Sequence, residues 1–543
     1  MQSLIELYNF LDVVLRAYLL VTQSLIVGGV AFLALVKGSL GATPSGEERL
    51  LARRCLRILY WSCVASALGE LVAGGVLIAM LVGTLHVDAT VAASSNAVAA
   101  HFISAGFAGL LALIARLDVD AFANWRPIAL VLALLMVCAH VGVTHVASRP
   151  EADKLLVATE IAHIIAAGIW IGGIPYFVVT LATTRDAGSR RLIASKFSII
   201  AICAVAALIA GGVFMMTRYT TSLDTLYVTN YGVLMSTKIL LLLGLLCFGV
   251  ANASTVRKLW RVPSTSIRRL SRFAEVEIGL GVIALFCAAA LASSSLPIDG
   301  GAERTSLSEI TARFAPRWPS FYSPAYAELS AAQASEAQAS QANSASETAV
   351  GLTAADIAWA EMNHHLAGIL VVVMGAFALL ERHRRLAPIV RHWPLLFLLL
   401  GGVLLVRADE TAWPLGPLGF FESLRNPQIA QHKLIVALIA IFAIFEWRVR
   451  RKLFKSNWPA YVFPLTVGAA SAFLLTHYGH TEGADEVLIA ISHTPVALLG
   501  IVTASARWLE IRSPDAPEGR AGALVWPVAF MIAGVLLLLY REA

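Results

Sequence analysis

Hydrophobic stretches alternate with short polar loops along almost the whole chain, beginning at Leu11 and continuing to the C-terminus. About fourteen of these stretches are long enough to cross a bilayer, since a transmembrane helix needs roughly 20 apolar residues. A helix also satisfies its backbone hydrogen-bonding groups internally, as the lipid interior requires. The pattern therefore predicts an all-α fold, a polytopic transmembrane helical bundle.

One polar segment interrupts the hydrophobic pattern. Residues 333–348 consist almost entirely of Ala, Ser, Gln and Glu, which bury little apolar surface, and we expect them to form a flexible linker. The chain then divides into a membrane domain over residues 1–297, a partly disordered periplasmic linker over 298–356 and a His-rich membrane domain over 357–543. About eight helices are predicted in the first domain and about six in the second.

Composition supports this interpretation. The 543 residues are 58% hydrophobic and only 14% charged, with a mean hydropathy of +0.75, which indicates an integral membrane protein. The first apolar stretch follows Glu6 and Asp12 without a basic leader, which favours a permanent helix over a removed signal peptide. No CxxC pair occurs among the six cysteines, which argues against a disulfide framework or a zinc knuckle.

Lysine and arginine cluster in alternate loops. By the positive-inside rule these loops are cytoplasmic, which places both termini and the central linker on the periplasmic side. This topology accounts for the net charge of +6, and no nucleic-acid partner is expected. The basic loops are residues 37–57, 116–126, 185–196, 257–272, 382–391, 448–455 and 507–520.

Histidines are concentrated on the face opposite the basic loops. Of the 13 histidines, only His383 and His392 fall among the basic loops. Imidazoles combined with methionine thioethers suit copper, Cu(I) in particular, whereas a hard ion needs clustered carboxylates; zinc stays open. For any single histidine, the alternative is a hydrogen bond to interfacial water or headgroups. The histidines on this face are His86, His101, His140, His145, His163, His364, His365, His432, His477, His480 and His493.

Four predicted helix ends in the first domain carry candidate ligands. The predicted metal ligands are His101, His140 and His163, with His145 and Met215 as auxiliaries. Glu160 lies three residues before His163 on the same helix face, so its carboxylate is expected either to bind the metal or to orient an imidazole.

The second domain repeats the theme at its helix starts. Glu361 precedes His365 by four residues and shares its helix face, which makes it a candidate for orienting an imidazole or relaying protons. The pattern leaves open whether the ligands form one site or two, and a polar surface network is the alternative. The leading candidates are His365, His432, His477 and His493, with His364 and His480 beside them.

Glu70 is a charged residue near the middle of a predicted membrane helix. An ionisable group at that depth costs several kcal/mol unless it is paired or hydrated. Arg16 or Lys238, on neighbouring helices, are the expected partners. The pair is interpreted as a structural ion pair, with a step in a cation or proton path as the alternative.

Several functions find no support in the sequence. It has no GxxxxGK[ST] phosphate loop and no soluble segment of the size of a nucleotide domain, so no nucleotide partner is expected. It has no CxxCH haem attachment motif. No nucleophile or acid–base set recommends an enzyme, so no catalytic residue is predicted, and membrane lipid is the first expected partner.

A series of short elements between residues 130 and 300 resembles the CopD family of bacterial copper-resistance and copper-uptake membrane proteins. The resemblance implies a multi-pass inner-membrane protein that takes copper from the periplasmic side, with transport into the cytoplasm and a periplasmic copper-binding protein as partner. The His-rich second domain looks like an extension. The elements are Cys138-Ala-His140, His163, Trp170-Ile-Gly-Gly173, Arg191, Lys196-Phe-Ser198, Tyr231-Gly232, Lys238, Asn252, Arg268-Arg269, Glu277, Leu280-Gly281, Leu291 and Pro297.

CopD-like domains are also similar in outline to di-haem cytochrome b proteins, so a haem-b electron-transfer protein is the alternative. Bis-histidine haem needs paired imidazoles that face each other across a bundle, and such cytochromes generally place some pairs at different depths. Nearly all histidines of this chain lie at one predicted depth, which favours copper capture. One haem near the outer face of each domain stays open.

Overall fold

A computed structural model of the chain consists of long helices joined by short loops. No β-strand occurs among the residues that it describes. The prediction of an all-α, polytopic helical bundle is therefore confirmed. The described residues are 2–37, 46–117, 119–142, 144, 153–262, 265–299, 304–315, 317–332, 353–409, 412–425, 427–475 and 484–542.

The helices divide into two compact units. Unit 1 comprises Met1–Thr225 and Leu234–Ala302, and unit 2 comprises Leu226–Val233 and Glu303–Ala543. The domain boundaries predicted from the sequence stay a prediction, and the linker 333–348 lies outside the described residues.

Unit 1 is built mainly from nine helices. A π-helical turn, Gly168–Gly172, joins α5 to α6, so that the two form one continuous helical segment, Lys154–Thr183. Residues 230–233 of α8 are counted with unit 2. The helices are α1 (Gln2–Lys37), α2 (Gly46–Leu85), α3 (Asn96–Ala115), α4 (Val119–Val141), α5 (Lys154–Ala167), α6 (Ile174–Thr183), α7 (Ala187–Tyr219), α8 (Asn230–Arg261) and α9 (Arg268–Ser293), with short helical pieces at Ala89–Ala93 and Pro297–Asp299. The short piece Thr225–Val228 lies mostly in unit 2.

In the described residues, unit 2 contains the short amphipathic helix α10, a helical segment at 326–332 and six longer helices. The helices are α10 (Leu307–Phe314), α11 (Ala354–Leu380), α12 (Leu396–Arg407), α13 (Pro427–Arg450), α14 (Val462–Leu474), α15 (Ala484–Arg512) and α16 (Pro517–Leu538), with short helical pieces at Ala387–Val390, Trp393–Leu395, Phe420–Ser423 and Trp458–Tyr461.

Twelve helical segments in the described part of the chain are long and apolar enough to cross a membrane. Trp458–Leu474 is a shorter apolar segment, and α13 is a further helix with an apolar middle. These two and the twelve account for the predicted stretches, and the chain is a multi-pass membrane protein. The twelve are Leu11–Leu35, Gly46–Leu85, Asn96–Ala115, Phe122–Val141, Lys154–Thr183, Ala187–Tyr219, Asn230–Arg261, Arg268–Ser293, Ala354–Leu380, Ala387–Arg407, Val487–Arg512 and Pro517–Leu538.

The packing of unit 1 depends on a close approach between α1 and the π-helical turn. Gly28 of α1 and Gly172 of the turn meet backbone to backbone, and a Cβ at Gly172 would overlap the Ser24 carbonyl. The Tyr176 hydroxyl, just beyond the turn, donates to the Leu25 carbonyl at 2.9 Å. Small residues are what allow membrane helices to pack this closely.

Replacing Gly172 by Ala is expected to destabilise unit 1 by about 1–3 kcal/mol or more, because the added methyl meets a backbone atom that cannot turn aside. The midpoint of thermal unfolding in detergent micelles measures the effect. Gly75→Ala is the matched control, since a Cβ there meets nothing within 4 Å. Equal midpoints for the two variants would show that α1 and the turn have room to separate.

Candidate metal-handling site

The best-defined part of the predicted site is a carboxylate–imidazole pair between α2 and α3. His101 lies in the second turn of α3, and its Nδ1 is 2.6 Å from Oε2 of Glu70. Both side chains are largely buried, at 19% and 7% exposure. The carboxylate selects the tautomer with hydrogen on Nδ1, which leaves the Nε2 lone pair free to bind a metal.

The structure corrects the expected partners of Glu70. Its hydrogen-bond partner is His101, whereas Arg16 pairs with Asp12 on its own helix at 2.6 Å. Asp12 also accepts a hydrogen bond from Ser293 at the end of α9. The sequence missed the His101 partner because the spacing of residues within α2 does not reveal which side chain of α3 lies opposite.

His140, in the last turn of α4, lies close enough to His101 and Arg16 for their charges to act on it. Two of the three leading histidines of the first domain thus lie within electrostatic reach of each other. We call this end of the helices the histidine end of unit 1. The auxiliary candidate His145 lies outside the described residues.

Glu160 and His163 form the second polar group at the histidine end. Glu160 accepts a hydrogen bond from Thr144 at 3.0 Å, and both residues of α5 lie within electrostatic reach of Lys238 on α8. Nδ1 of His163 is buried and has no hydrogen-bond partner. An unpartnered buried nitrogen needs an explanation, and an absent metal or water is one.

Glycines on α7 make room for the His163 ring. A Cβ at Gly212 would lie 3.3 Å from Cε1 of His163, and one at Gly211 would lie 3.6 Å from its Nδ1. The sequence pair Gly211-Gly212 therefore allows α7 to pack against an imidazole. Met215 lies one turn further along α7, and its role as a ligand stays a prediction.

In unit 2, His364 of α11 and His493 of α15 approach each other with ring centroids 5.8 Å apart. Nδ1 of His364 is 2.8 Å from the Ala360 carbonyl, and Nδ1 of His493 is 2.9 Å from the Ile489 carbonyl. Both contacts span one helical turn, and both leave Nε2 as the free nitrogen. The Tyr540 ring stacks on His364 at 3.8 Å.

His432 of α13 has a carboxylate partner, Asp409, with Nδ1 and Oδ1 2.7 Å apart. The other oxygen of Asp409 is buried without a hydrogen-bond partner. Asp409 had no predicted role. Its carboxylate lies two residues beyond the end of α12, on the chain segment that precedes the helix of His432, and this position could have indicated the pair. The arrangement repeats that of Glu70 and His101.

His365 is engaged on both sides by the backbone. Its Nδ1 is 2.7 Å from the Ser320 carbonyl and its Nε2 is 3.0 Å from the Tyr540 carbonyl. Neither nitrogen is directed at a metal in this arrangement, so His365 fastens two backbone segments. Glu361 lies within electrostatic reach of Arg541, and His477 and His480 lie outside the described residues.

The described residues contain no group of three or more His, Cys, Asp or Glu side chains arranged to hold a metal ion. The nitrogen donors occur as single imidazoles or pairs. A carboxylate or carbonyl contacts Nδ1 in four of them, His101, His364, His432 and His493. Such second partners are typical of metal-binding imidazoles.

Residues 191–291, which cover most of α7, all of α8 and most of α9, match the family model described as "Copper resistance protein D" (CopD). This segment of the chain is therefore similar to CopD, a family of copper-resistance membrane proteins. No significant match was found among curated proteins or among solved structures.

The matched segment includes Met215 and Lys238 but none of the candidate histidines. It also includes Asn252 and Glu277, whose side chains hydrogen-bond to each other in the half of unit 1 away from the histidine end. Glu277 is buried at 4% exposure. The sequence analysis named both residues only as part of the resemblance.

Proposed function

We propose that this protein takes up copper at the histidine end of unit 1 and conducts it across the bacterial inner membrane. The proposal is carried by the Glu70–His101 pair, which presents a free imidazole Nε2 beside His140 in a CopD-family helical unit. Cu(I) is bound well by imidazole and thioether donors. In this proposal the imidazoles of His101 and His140 are the first kind of donor, and Met215 is the proposed thioether donor.

The donor arrangement supports conduction. An ion moves through a protein only if each position binds it strongly enough to enter and weakly enough to leave. Pairs such as His101 with His140 give fewer donors than a closed, permanent site would. His163 then offers its unpartnered nitrogen beside Met215, the thioether candidate.

Glu277 and Asn252 are the proposed next polar step. Asn252 lies fourteen residues after Lys238 on α8, which is about 21 Å along a helix. A buried carboxylate inside a membrane segment is costly unless it serves a polar path or a partner. The amide oxygen of Asn252, Oδ1, is buried without a hydrogen-bond partner.

The proposed orientation in the membrane rests on the basic loops, which the positive-inside rule assigns to the cytoplasm. The histidine end would then face the periplasm, together with both termini, and receive copper from a periplasmic copper-binding protein. Copper import and copper resistance are the expected consequences for the cell.

Replacing His140 and His163 together by Ala is expected to abolish copper-dependent accumulation in cells that express the protein, because two of the three nitrogen donors of the site are lost. Cellular copper is measured by elemental analysis, and membrane insertion by the amount of protein in the membrane fraction. His383→Ala, in a basic loop, is the control and should accumulate copper normally. Full accumulation by the double variant would contradict the proposed path.

A second candidate function, haem-b binding by unit 2, is favoured by the His364–His493 approach. The two imidazoles come from different helices, and each keeps Nε2 free while a carbonyl holds Nδ1. Haem iron would supply electron transfer when held by such a pair. An absorption spectrum of the purified protein distinguishes the two candidates. A Soret band that disappears in His364→Ala supports haem binding. Stoichiometric copper in a protein without that band supports copper binding.

A further inference from the structure

Arg313 of α10 is a buried cation whose guanidinium has no hydrogen-bond partner among the described residues. The residue is only 7% exposed, and all three guanidinium nitrogens are buried without a hydrogen bond. No carboxylate of the described residues forms an ion pair with it. A buried guanidinium without hydrogen bonds or an opposite charge is strongly unfavourable, so something that carries negative charge is expected beside it.

The position of Arg313 is firmly set, so its burial does not come from a loosely attached helix. The Ser306 hydroxyl and the Glu309 carboxylate form a capping box at the start of α10. At the other end, the Arg541 guanidinium donates to the carbonyls of Ala312 and Ala315. The backbone before α10 is also held, since the Thr305 amide donates to the Val228 carbonyl at 3.0 Å.

The groups around Arg313 are aromatic or positively charged more often than acidic. Its guanidinium lies 5.5 Å from the centre of the Tyr540 ring, which offers a weak cation–π attraction. Burial raises the pKa of the Tyr540 hydroxyl above its ordinary value, so the phenol stays neutral. Arg541 is close enough for the two guanidinium charges to repel each other, and Arg317 also acts on Arg541.

Two acidic residues lie in the neighbourhood, but neither neutralises Arg313. Glu542 acts on Tyr540 and on His493, and Glu361 acts on Arg541. Among the described side chains of this cluster, the three arginines 313, 317 and 541 outnumber the two carboxylates. Of these arginines, Arg313 is the buried one.

We propose that unit 2 binds an oxyanion, a phosphate or carboxylate group, on the guanidinium of Arg313 beneath α10. The planar guanidinium presents donors in a fork that matches the two oxygens of such a group. The proposal is independent of copper conduction, since it concerns residues of unit 2 that take no part in the path through unit 1. The bound group belongs either to a free anion or to a phospholipid headgroup.

Thermal unfolding of the full-length protein in detergent tests the proposal. Sodium phosphate or sodium acetate, compared with sodium chloride at equal ionic strength, is expected to raise the midpoint by several degrees, because a ligand of the native state stabilises it by mass action. Arg313→Gln should lose this shift. Arg317→Gln removes an exposed arginine from the same segment and should keep it.

A second measurement covers an anion that remains bound through purification. Native mass spectrometry should then show an adduct on the wild type and on Arg317→Gln that is missing from Arg313→Gln. If mixed micelles of detergent and phosphatidylglycerol raise the unfolding midpoint and inorganic phosphate does not, the bound group is a phospholipid headgroup. If Arg313→Gln fails to fold, Arg313→Lys takes its place and should show a weakened shift. A wild type with neither shift nor adduct, or an Arg313→Gln variant that keeps both, overturns the proposal.

Discussion

Replacing Glu70 by Ala is expected to weaken copper binding at the histidine end by about 10–100-fold, the usual effect of removing a residue that orients a metal-binding imidazole. The Glu70 carboxylate lies 2.6 Å from Nδ1 of His101 and fixes both the tautomer and the direction of the ring. Without it, either nitrogen can carry the hydrogen and the ring can turn. Copper titration of the purified protein with a competing chelator measures the affinity.

Two further variants separate orientation from a general loss of structure. Glu70→Gln keeps a hydrogen-bond acceptor but removes the charge, so its loss of affinity should be smaller, near tenfold. Glu70→Asp keeps the charge on a shorter side chain and should recover part of the affinity. Thermal midpoints are measured for each variant. Unchanged copper affinity in Glu70→Ala would show that His101 is not a ligand that Glu70 orients.

Replacing Arg450 by Met is expected to destabilise unit 2 by about 3–5 kcal/mol, because it leaves a buried carboxylate without its partner. Arg450 pairs with Glu446 at 2.7 Å and with Glu381 at 3.2 Å, and the Glu446 side chain has no exposure. The Arg450 guanidinium also lies over the ring of Trp393 at 5.1 Å. Unfolding is measured by tryptophan fluorescence, to which Trp393 contributes as one of the 12 tryptophans of the chain.

The matched control is Arg448→Met, on the same helix two residues earlier and exposed. It should change the midpoint little. The double variant Arg450→Met and Glu446→Met removes both charges and should recover most of the lost stability, since two apolar side chains can replace a buried ion pair at small cost. A double variant as unstable as Arg450→Met alone would show that packing on Trp393, and not the unpaired carboxylate, causes the loss.

Helix number and position were predictable because each apolar stretch of sufficient length must form a helix in lipid. The pairing of side chains was not. Glu70 was assigned to Arg16 or Lys238, yet it meets His101, because the rotation of α2 against α3 depends on packing that no single helix encodes. For the same reason, the sequence did not predict that Asp409 pairs with His432.

The contacts of His365 and the burial of Arg313 depend on how the backbone is arranged, and residue type alone does not predict them. His365 looked like a leading ligand from its spacing, but both of its nitrogens meet backbone carbonyls contributed by distant parts of the chain. Arg313 gave no signal in the sequence, since an arginine on a short amphipathic helix is ordinarily solvated. Its burial becomes visible only when α10 is seen fixed in place by Arg541.

The π-helical turn Gly168–Gly172 sets the rotational phase between α5, which carries Glu160 and His163, and α6, which packs against α1. A π turn accommodates one residue more than an α turn, and one residue corresponds to about 100° around a helix axis. Deleting a single residue here would therefore swing both ionisable side chains of α5 away from Lys238 while leaving α6 seated. The extra residue fixes the rotation of α5 about its own axis. A relative with one residue more or fewer in this turn should therefore present a different face of α5 to α8.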